Sequence, residues 1–329
     1  MVYNIWVTNF LEVTLKKENV CTKKTSIGGQ ALIEGVMMRG PKTTTMAVRN
    51  PEGEIIVEKW ENESKKKNAL YRIPFIRGVF NFVETMKFGY KCLMRSAEIA
   101  GLEEVDKETS EKEKKKNEAI MNVMMVVASA LGVVLALFLF IALPSLVYSL
   151  LSKVSDVFSE DNRYLKSAFE GIFKIVILVG YMSLISLMKD IRRTFMLHGA
   201  EHKTIFCYES GEELTVENVR KQKRFHPRCG TSFLILMVLV GVLIGFFIPP
   251  TINTFVRIGI RILLLPFIMG VGYELIKFAG RHDNIITKII SAPGVWLQHL
   301  TVFEPDDEMI ECAITAMKEV IPTDDSDKW

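Results

Sequence analysis

Hydrophobic and polar positions along this chain follow several periods in turn. Residues 43–60 alternate: Thr44, Met46 and Val48 lead to Asn50-Pro-Glu-Gly53, and Ile55 and Val57 resume beyond it. Alternation interrupted by such a turn predicts a β-hairpin closed by a type I turn. The preceding stretch is punctuated by Gly28, Gly29, Gly35 and Gly40, which predicts a short strand and turn, with Glu34 and Arg39 as candidate substrate-binding residues. From residue 74 to 100 the period becomes helical. Phe75, Ile76, Val79, Phe80, Val83, Met86 and Tyr90 form an apolar stripe bordered by Arg77, Lys87, Lys91 and Arg95. Such a helix either packs on the hairpin or lies in a membrane interface, where anionic lipid favours Lys and Arg. Residues 64–68 read as a solvated tip and 103–117, almost wholly charged, as a solvated linker or a helix extension.

The pattern then gives way to unbroken hydrocarbon. Residues 119–143, 169–188, 232–248 and 255–278 are each close to the ~20 apolar residues that span a bilayer core, so about four transmembrane helices are expected. Arg257 and Arg261 fall near the start of the last run and are expected to snorkel outward, while Glu274 is expected to pair with Lys277. The connection after the second run is rich in Lys and Arg; that at 249–254 has none. The excess of basic residues puts the N-terminus, the central connection and the C-terminus on the cytoplasmic side. Asn284 to Leu300 reads as an amphipathic segment broken at Pro293-Gly294, and a final helix is expected to start at Pro305 and bury Ile310, Ile314, Met317 and Val320.

Composition sharpens this picture modestly. A net charge of +3 spread over 329 residues gives no ground for a nucleic-acid partner. Membrane lipid is the expected partner, and a homo-oligomer is compatible with the pattern. The five cysteines are odd in number and scattered, which suits free thiols in a reducing compartment. The N-terminus lacks the basic region and cleavage site of a signal peptide.

Candidate chemistry is concentrated in the central connection. His198-Gly-Ala-Glu-His202 places two imidazoles four residues apart, on one face of a helix, with Glu201 beside them. The order His-x-x-Glu-His is that of inverted zinc hydrolases, in which imidazoles hold the metal and the carboxylate takes a proton from water. His226 and Cys229 are the nearest further ligands; Cys207, Glu209, Glu212 and His282 are others. Arg224 and Arg228 are placed to hold an anionic group. A helix presenting this pair is weakened by Gly199. If three histidines and Cys229 close around a zinc ion, the site is structural rather than catalytic. The segment 203–228 shows few large apolar residues and much positive charge, so its fold is expected to depend on metal.

Four blocks also carry a resemblance. Gly28-Gly-Gln-Ala-Leu-Ile-Glu-Gly-Val-Met-Met-Arg-Gly-Pro41, His198-Gly-Ala-Glu-His-Lys203, His226-Pro-Arg-Cys-Gly-Thr231, and Ala292-Pro-Gly-Val-Trp-Leu-Gln-His-Leu-Thr301 with Glu304-Pro-Asp-Asp307 resemble the YqhQ-like family. These are bacterial multipass membrane proteins of unknown function, often labelled predicted metal-dependent enzymes. The resemblance implies a metal; it implies no particular reaction.

The expected architecture is an α-helical polytopic membrane protein with a small cytoplasmic α+β part. Its parts are a tail (1–26), a hairpin with amphipathic helix (27–102), a charged linker (103–117), two spans (118–190), a His/Cys loop (191–230), two more spans (231–280) and a helical tail (281–329). The expected function is a metal-dependent hydrolase, with zinc the expected divalent ion, acting at the cytoplasmic face on a lipid, lipid-linked or peptide substrate. Glu201 is its base; His198, His202, His226 and Cys229 are its ligands. The alternative is a non-catalytic scaffold or lipid-handling protein with a structural metal site.

Overall fold

The computed structural model describes residues 24–62, 73–102, 111–158, 162–249, 252–282 and 284–328. The expected tail up to residue 23, the tip at 64–68 and the linker at 103–110 lie outside them.

Four antiparallel strands follow one another as a meander: β1 (Gly28–Leu32), β2 (Gly35–Arg39), β3 (Thr43–Arg49) and β4 (Ile55–Glu61). The β3–β4 turn forms as its residues dictate. Gly53 N–H donates to the Asn50 carbonyl at 3.0 Å, and the Asn50 side chain accepts from Glu54 N–H at 2.7 Å. Val36 pairs with Ala47, and Met37 with Met46, in the β2–β3 register. Period-two alternation therefore sorts these side chains onto two faces, and both faces are buried. Val36, Met38 and Ala47 belong to one core; Leu32, Met37, Met46 and Val48 belong to another.

Helices cover each face. Cys92, Phe88 and Leu93 of α1 (Ile76–Ile99) close the second core. Leu197, Ala200 and Ile205 of α5 (Lys189–Glu209), with Ile310, Ala313 and Met317 of α10 (Asp307–Lys318), close the first. Of the two roles expected for α1, packing on the sheet is seen. One side packs on the sheet, while Ile76, Phe80, Val83 and Tyr90 remain exposed as an apolar stripe. Asp306, not Pro305, starts α10: its carboxylate caps the helix by accepting from Met309 N–H at 2.9 Å.

Beyond the sheet lie the apolar helices α2 (Glu111–Leu137), α3 (Leu143–Leu151), α4 (Arg163–Ile185), α7 (Gly230–Gly245), α8 (Thr254–Arg281) and α9 (Ile285–Thr301), with short α6 (Val216–Lys221) beside α5. Among the described residues, three segments are long and apolar enough to cross a membrane: Val126–Leu151, Tyr164–Ile185 and Thr254–Arg281. The count differs from four because α7 has only 16 residues, about 24 Å at 1.5 Å per residue. The first candidate span also runs past Pro144. A π-helical segment at Phe138–Ala142 precedes that proline, which then sits in the first turn of α3, where its missing N–H is harmless.

The arginines of α8 do not snorkel. Arg257 and Arg261 are buried; Arg261 pairs with Glu170 of α4 and donates to Ser145 of α3 at 2.9 Å. A carboxylate on the neighbouring helix offered a partner that the single chain pattern did not reveal. At the other end of α8, Glu274 is gripped by Arg77 of α1 through Nε–Oε1 at 2.7 Å and a second bond, where Lys277 was the expected partner. Pro293 and Gly294 lie inside a continuous α9 rather than at a break.

Candidate metal centre

Residues 191–230, expected as a loop, are mainly helix. Helix α5 extends over 21 residues, and its second half from Gly199 is almost wholly buried. Its apolar residues Leu197, Ala200, Ile205 and Cys207, with Leu214 and Val219 beyond it, share the core of the sheet's first face. Hydrophobic packing therefore supports this segment, which the sequence suggested had too few large apolar residues for a core of its own. Gly199 has a packing reason. The extended strap 302–306 crosses α5 there, and a Cβ on Gly199 would lie 2.0 Å from the Phe303 carbonyl oxygen. The helix accepts a poor helix former because the strap must approach its backbone.

Three side chains from two elements converge at this crossing. His198 and His202 come from consecutive turns of α5; Cys229 caps the N-terminus of α7. Their ligand atoms lie within 4.8 Å of one another, and His198 Nε2 is 3.1 Å from Cys229 Sγ. The two rings are oriented from behind. His198 Nδ1 is 3.1 Å from the Thr301 carbonyl, and His202 Nδ1 is 2.6 Å from the Arg224 carbonyl. A carbonyl only accepts, so each Nδ1 carries a proton and each ring turns its Nε2 toward the centre. His202 Nε2 is buried and faces the Cys229 sulfur without a hydrogen bond of normal geometry. A buried nitrogen lone pair with no donor is costly unless something electropositive fills the space. Neutral imidazoles and a thiolate are also the donor set that zinc and similar divalent ions favour. The residues fit a metal ion.

The electrostatics agree with that donor set. Burial, reinforced by His198, pushes His202 down to about 4, so its ring is neutral near pH 7. Burial opposes ionisation of Cys229, yet His202 and the hydroxyl and N–H of Thr231 outweigh it and hold the thiol below its ordinary value. Glu201 points between α5 and β1. Its burial pushes it up to about 7, against the opposing pull of His198. Its Cγ lies only 2.9 Å from where a Cβ on Gly29 would be, so the glycine at that place leaves the carboxylate its room. Glu201, His202 and Cys229, with residues 25–29, His226, Arg228 and Gly230, line a cleft of about 130 Å³.

The other expected ligands are engaged elsewhere. His226 is held by Arg228 and Glu209: its Nδ1 accepts from Arg228 N–H at 3.3 Å, and Nε2 lies 3.9 Å from Glu209. Arg228 is paired with buried Glu209 and donates to the Thr25 carbonyl at 2.9 Å. Arg224 lies over the Phe225 ring and reaches Glu304 at 3.5 Å. Glu34, in a left-handed turn conformation (φ 52°), is paired with Arg193, and Arg39 lies 3.7 Å from Glu84. Neither lines the cleft. Cys207 is bonded to backbone carbonyls of the following turn, Glu212 accepts from Gln222, and His282 stacks on Phe278.

Two positioning groups escaped sequence reasoning. Fully buried Gln298 of α9 clamps the backbone of His226, accepting from its N–H at 2.8 Å and donating to its carbonyl at 2.7 Å. Lys203, also buried, donates to the Arg220 carbonyl at 2.8 Å and pairs with Glu304. Their only sequence signal is membership of the same blocks as the histidines, and all four blocks meet here.

Comparison with known proteins adds a family without a chemistry. A family model described as "Protein of unknown function (DUF1385)" matches residues 73–323. The uncharacterized protein YqhQ of Bacillus subtilis (strain 168) is 35% identical over 297 residues, 89% of this chain and 92% of that protein. No solved structure matches.

Proposed function

This chain belongs to the DUF1385 family of unknown function, and from the geometry of its centre we propose that it is a membrane-embedded, metal-dependent hydrolase. His198, His202 and Cys229 hold a divalent ion, zinc by donor type, and Glu201 is the general base. The observation that carries this reading is the orphaned, buried His202 Nε2, aimed at Cys229 while its Nδ1 is tied to the Arg224 carbonyl. Three ligands, rather than the closed set of four that would include His226, favour a reactive over a purely structural site. When bound, the ion supplies Lewis acidity toward a substrate carbonyl or phosphoryl oxygen. Glu201 receives a proton from water and returns it to the leaving group. The cleft between α5 and β1 admits the substrate.

In this reading the three apolar spans lie in the inner membrane of a bacterium, and α7, though shorter, crosses with them as a fourth segment, so that the chain after α8 returns to the side of α5. The basic residues of α5 and α6 and of the connection at 222–229 support a cytoplasmic side for the centre, the sheet and both termini. The exposed stripe of α1 lies in the lipid interface.

Metal analysis and turnover test this together. Purified protein is expected to bind one zinc ion, with His202→Ala and Cys229→Ser each weakening affinity at least ~10²-fold. Glu201→Gln is expected to keep the ion while turnover of an ester, phosphoester or peptide probe falls ~10²–10⁴-fold. Unchanged turnover in Glu201→Gln sinks the hydrolase reading. Zinc affinity unaffected by both ligand variants sinks the centre itself.

A further inference from the structure

The strand that borders the cleft is an edge strand with half of its backbone unused. A two-residue turn, Ile33 and Glu34, joins β1 to β2, so Leu32 and Gly35 form a hydrogen-bonded pair. Alternation makes Gln30·Met37 and Gly28·Arg39 the other bonded pairs. The N–H and C=O groups of Gly29 and Ala31 therefore point away from β2, along the free edge. Gly29 N–H is bonded to the Glu201 carboxylate, the proposed base. Among the described residues, Ala31 makes no backbone bond outside the ladder.

Edges of this kind are usually blunted by Lys, Pro, a bulge or a covering element. On β1 the sequence is Gly-Gly-Gln-Ala-Leu, without charge or proline, and Gly29 is exposed. The edge lies between two helices. α1 touches it through Gln30, whose amide reaches the Gly89 carbonyl at 3.5 Å, and α5 borders it through Glu201. Residues 25–29 line the cleft that also contains His202 and Cys229. An unblunted edge leading from solvent to a hydrolytic centre has the form of a rail for an extended chain.

We propose that the free edge of β1 binds a substrate polypeptide, which adds to the sheet as a fifth strand and presents one backbone amide to the centre. This names the substrate class of the hydrolase reading and rests on it. Main-chain bonds to the Gly29 carbonyl and to the N–H and carbonyl of Ala31 fix the peptide's register. The oxygen of a water molecule bonds to the substrate carbonyl carbon, and the C–N bond breaks. One water proton passes through Glu201 to the departing nitrogen and the other is lost from the new acid to the amine, leaving a carboxylate and an ammonium group. No oxidant or second substrate is required. Affinity comes from the backbone, with successive side chains of the substrate facing α1 and α5 in turn.

The test uses full-length protein in detergent with zinc. Fluorescent eight-residue peptides of a randomised pool are bound to the Glu201→Gln variant, and the tightest binder is rebuilt with a single N-methyl group at each position in turn. Strand addition predicts at least tenfold weaker binding at alternate positions and little change between them. Ala31→Pro removes an N–H that the β1–β2 ladder does not use. It is expected to weaken binding at least tenfold with zinc content unchanged. If that variant does not fold, the N-methyl scan alone decides, because it alters only the ligand. Binding of no pool member, or losses without alternation, overturns the proposal. Wild-type protein that hydrolyses a phospholipid or lipid-linked ester but no peptide also overturns it, while leaving the hydrolase standing. Alternating binding losses without wild-type cleavage would sustain the rail and sink the hydrolase.

Discussion

At the scale of the residue, polar side chains in this molecule are committed more fully than their positions in the chain suggest. Arg228 and His226 are the clearest case. Both looked available to a ligand, and both are consumed by one buried carboxylate, Glu209, which also accepts from Thr25 N–H at 2.8 Å. Burial works against the charge on Glu209, but His226 and Arg228 outweigh it and hold the carboxylate below its ordinary value. A depressed carboxylate stabilises the fold above its unfolded pKa, about 4.3, and that contribution is lost as pH falls through the lower folded value. Acid unfolding of the wild type should therefore steepen below about pH 4.3, and Glu209→Gln should flatten that limb. Circular dichroism against pH checks this. Identical acid limbs would mean that the Glu209 pair carries no net stability.

At the scale of the element, the centre depends on a strap crossing a helix. Helix α5 alone brings His198 and His202 to one face. The strap 302–306 touches α5 at Gly199, and Phe303 N–H bonds to the Phe195 carbonyl at 3.0 Å. Just before it, Thr301 supplies the carbonyl that sets the His198 tautomer. Gly199→Ala would gain helix propensity in isolation, roughly 1 kcal/mol. Here the added methyl would meet the Phe303 oxygen, and overpacking of this kind costs about 1–3 kcal/mol. The variant is expected to melt lower and to bind zinc more weakly, because the strap must move and take Thr301 with it. A higher melting temperature would show that the contact at Gly199 is loose.

At the scale of the whole molecule, the sheet, α5 and α10 form one apolar core that is independent of the candidate ligands. This changes what metal removal should do. A loop held only by metal would become protease-sensitive along its length. With Leu197, Ile205, Leu214 and Val219 packed against the sheet and α10, chelation is expected to expose only the turn between α6 and α7, residues 222–229. Limited proteolysis of the chelated protein should cut there and leave α5 intact. Cleavage throughout 203–228 would restore metal-dependent folding of the entire segment.

Much of the architecture was legible because it rests on local periodicity. Alternation at 43–60 fixed the hairpin, the stripe at 74–100 fixed α1, and the apolar runs marked the helices of the bundle. The histidine pair was legible for the same reason, since a spacing of four is a property of one helix. Partner choice was not legible. That Glu170 would meet Arg261, that Arg77 rather than Lys277 would take Glu274, and that Cys229 would join the histidines while His226 turned to Glu209, all depend on side chains brought together across 17 to 197 residues of chain. Chain order carries no record of such distances. Only the packing of α5 against the strap and the N-terminus of α7 decided that three ligand atoms, and not four, would share one centre.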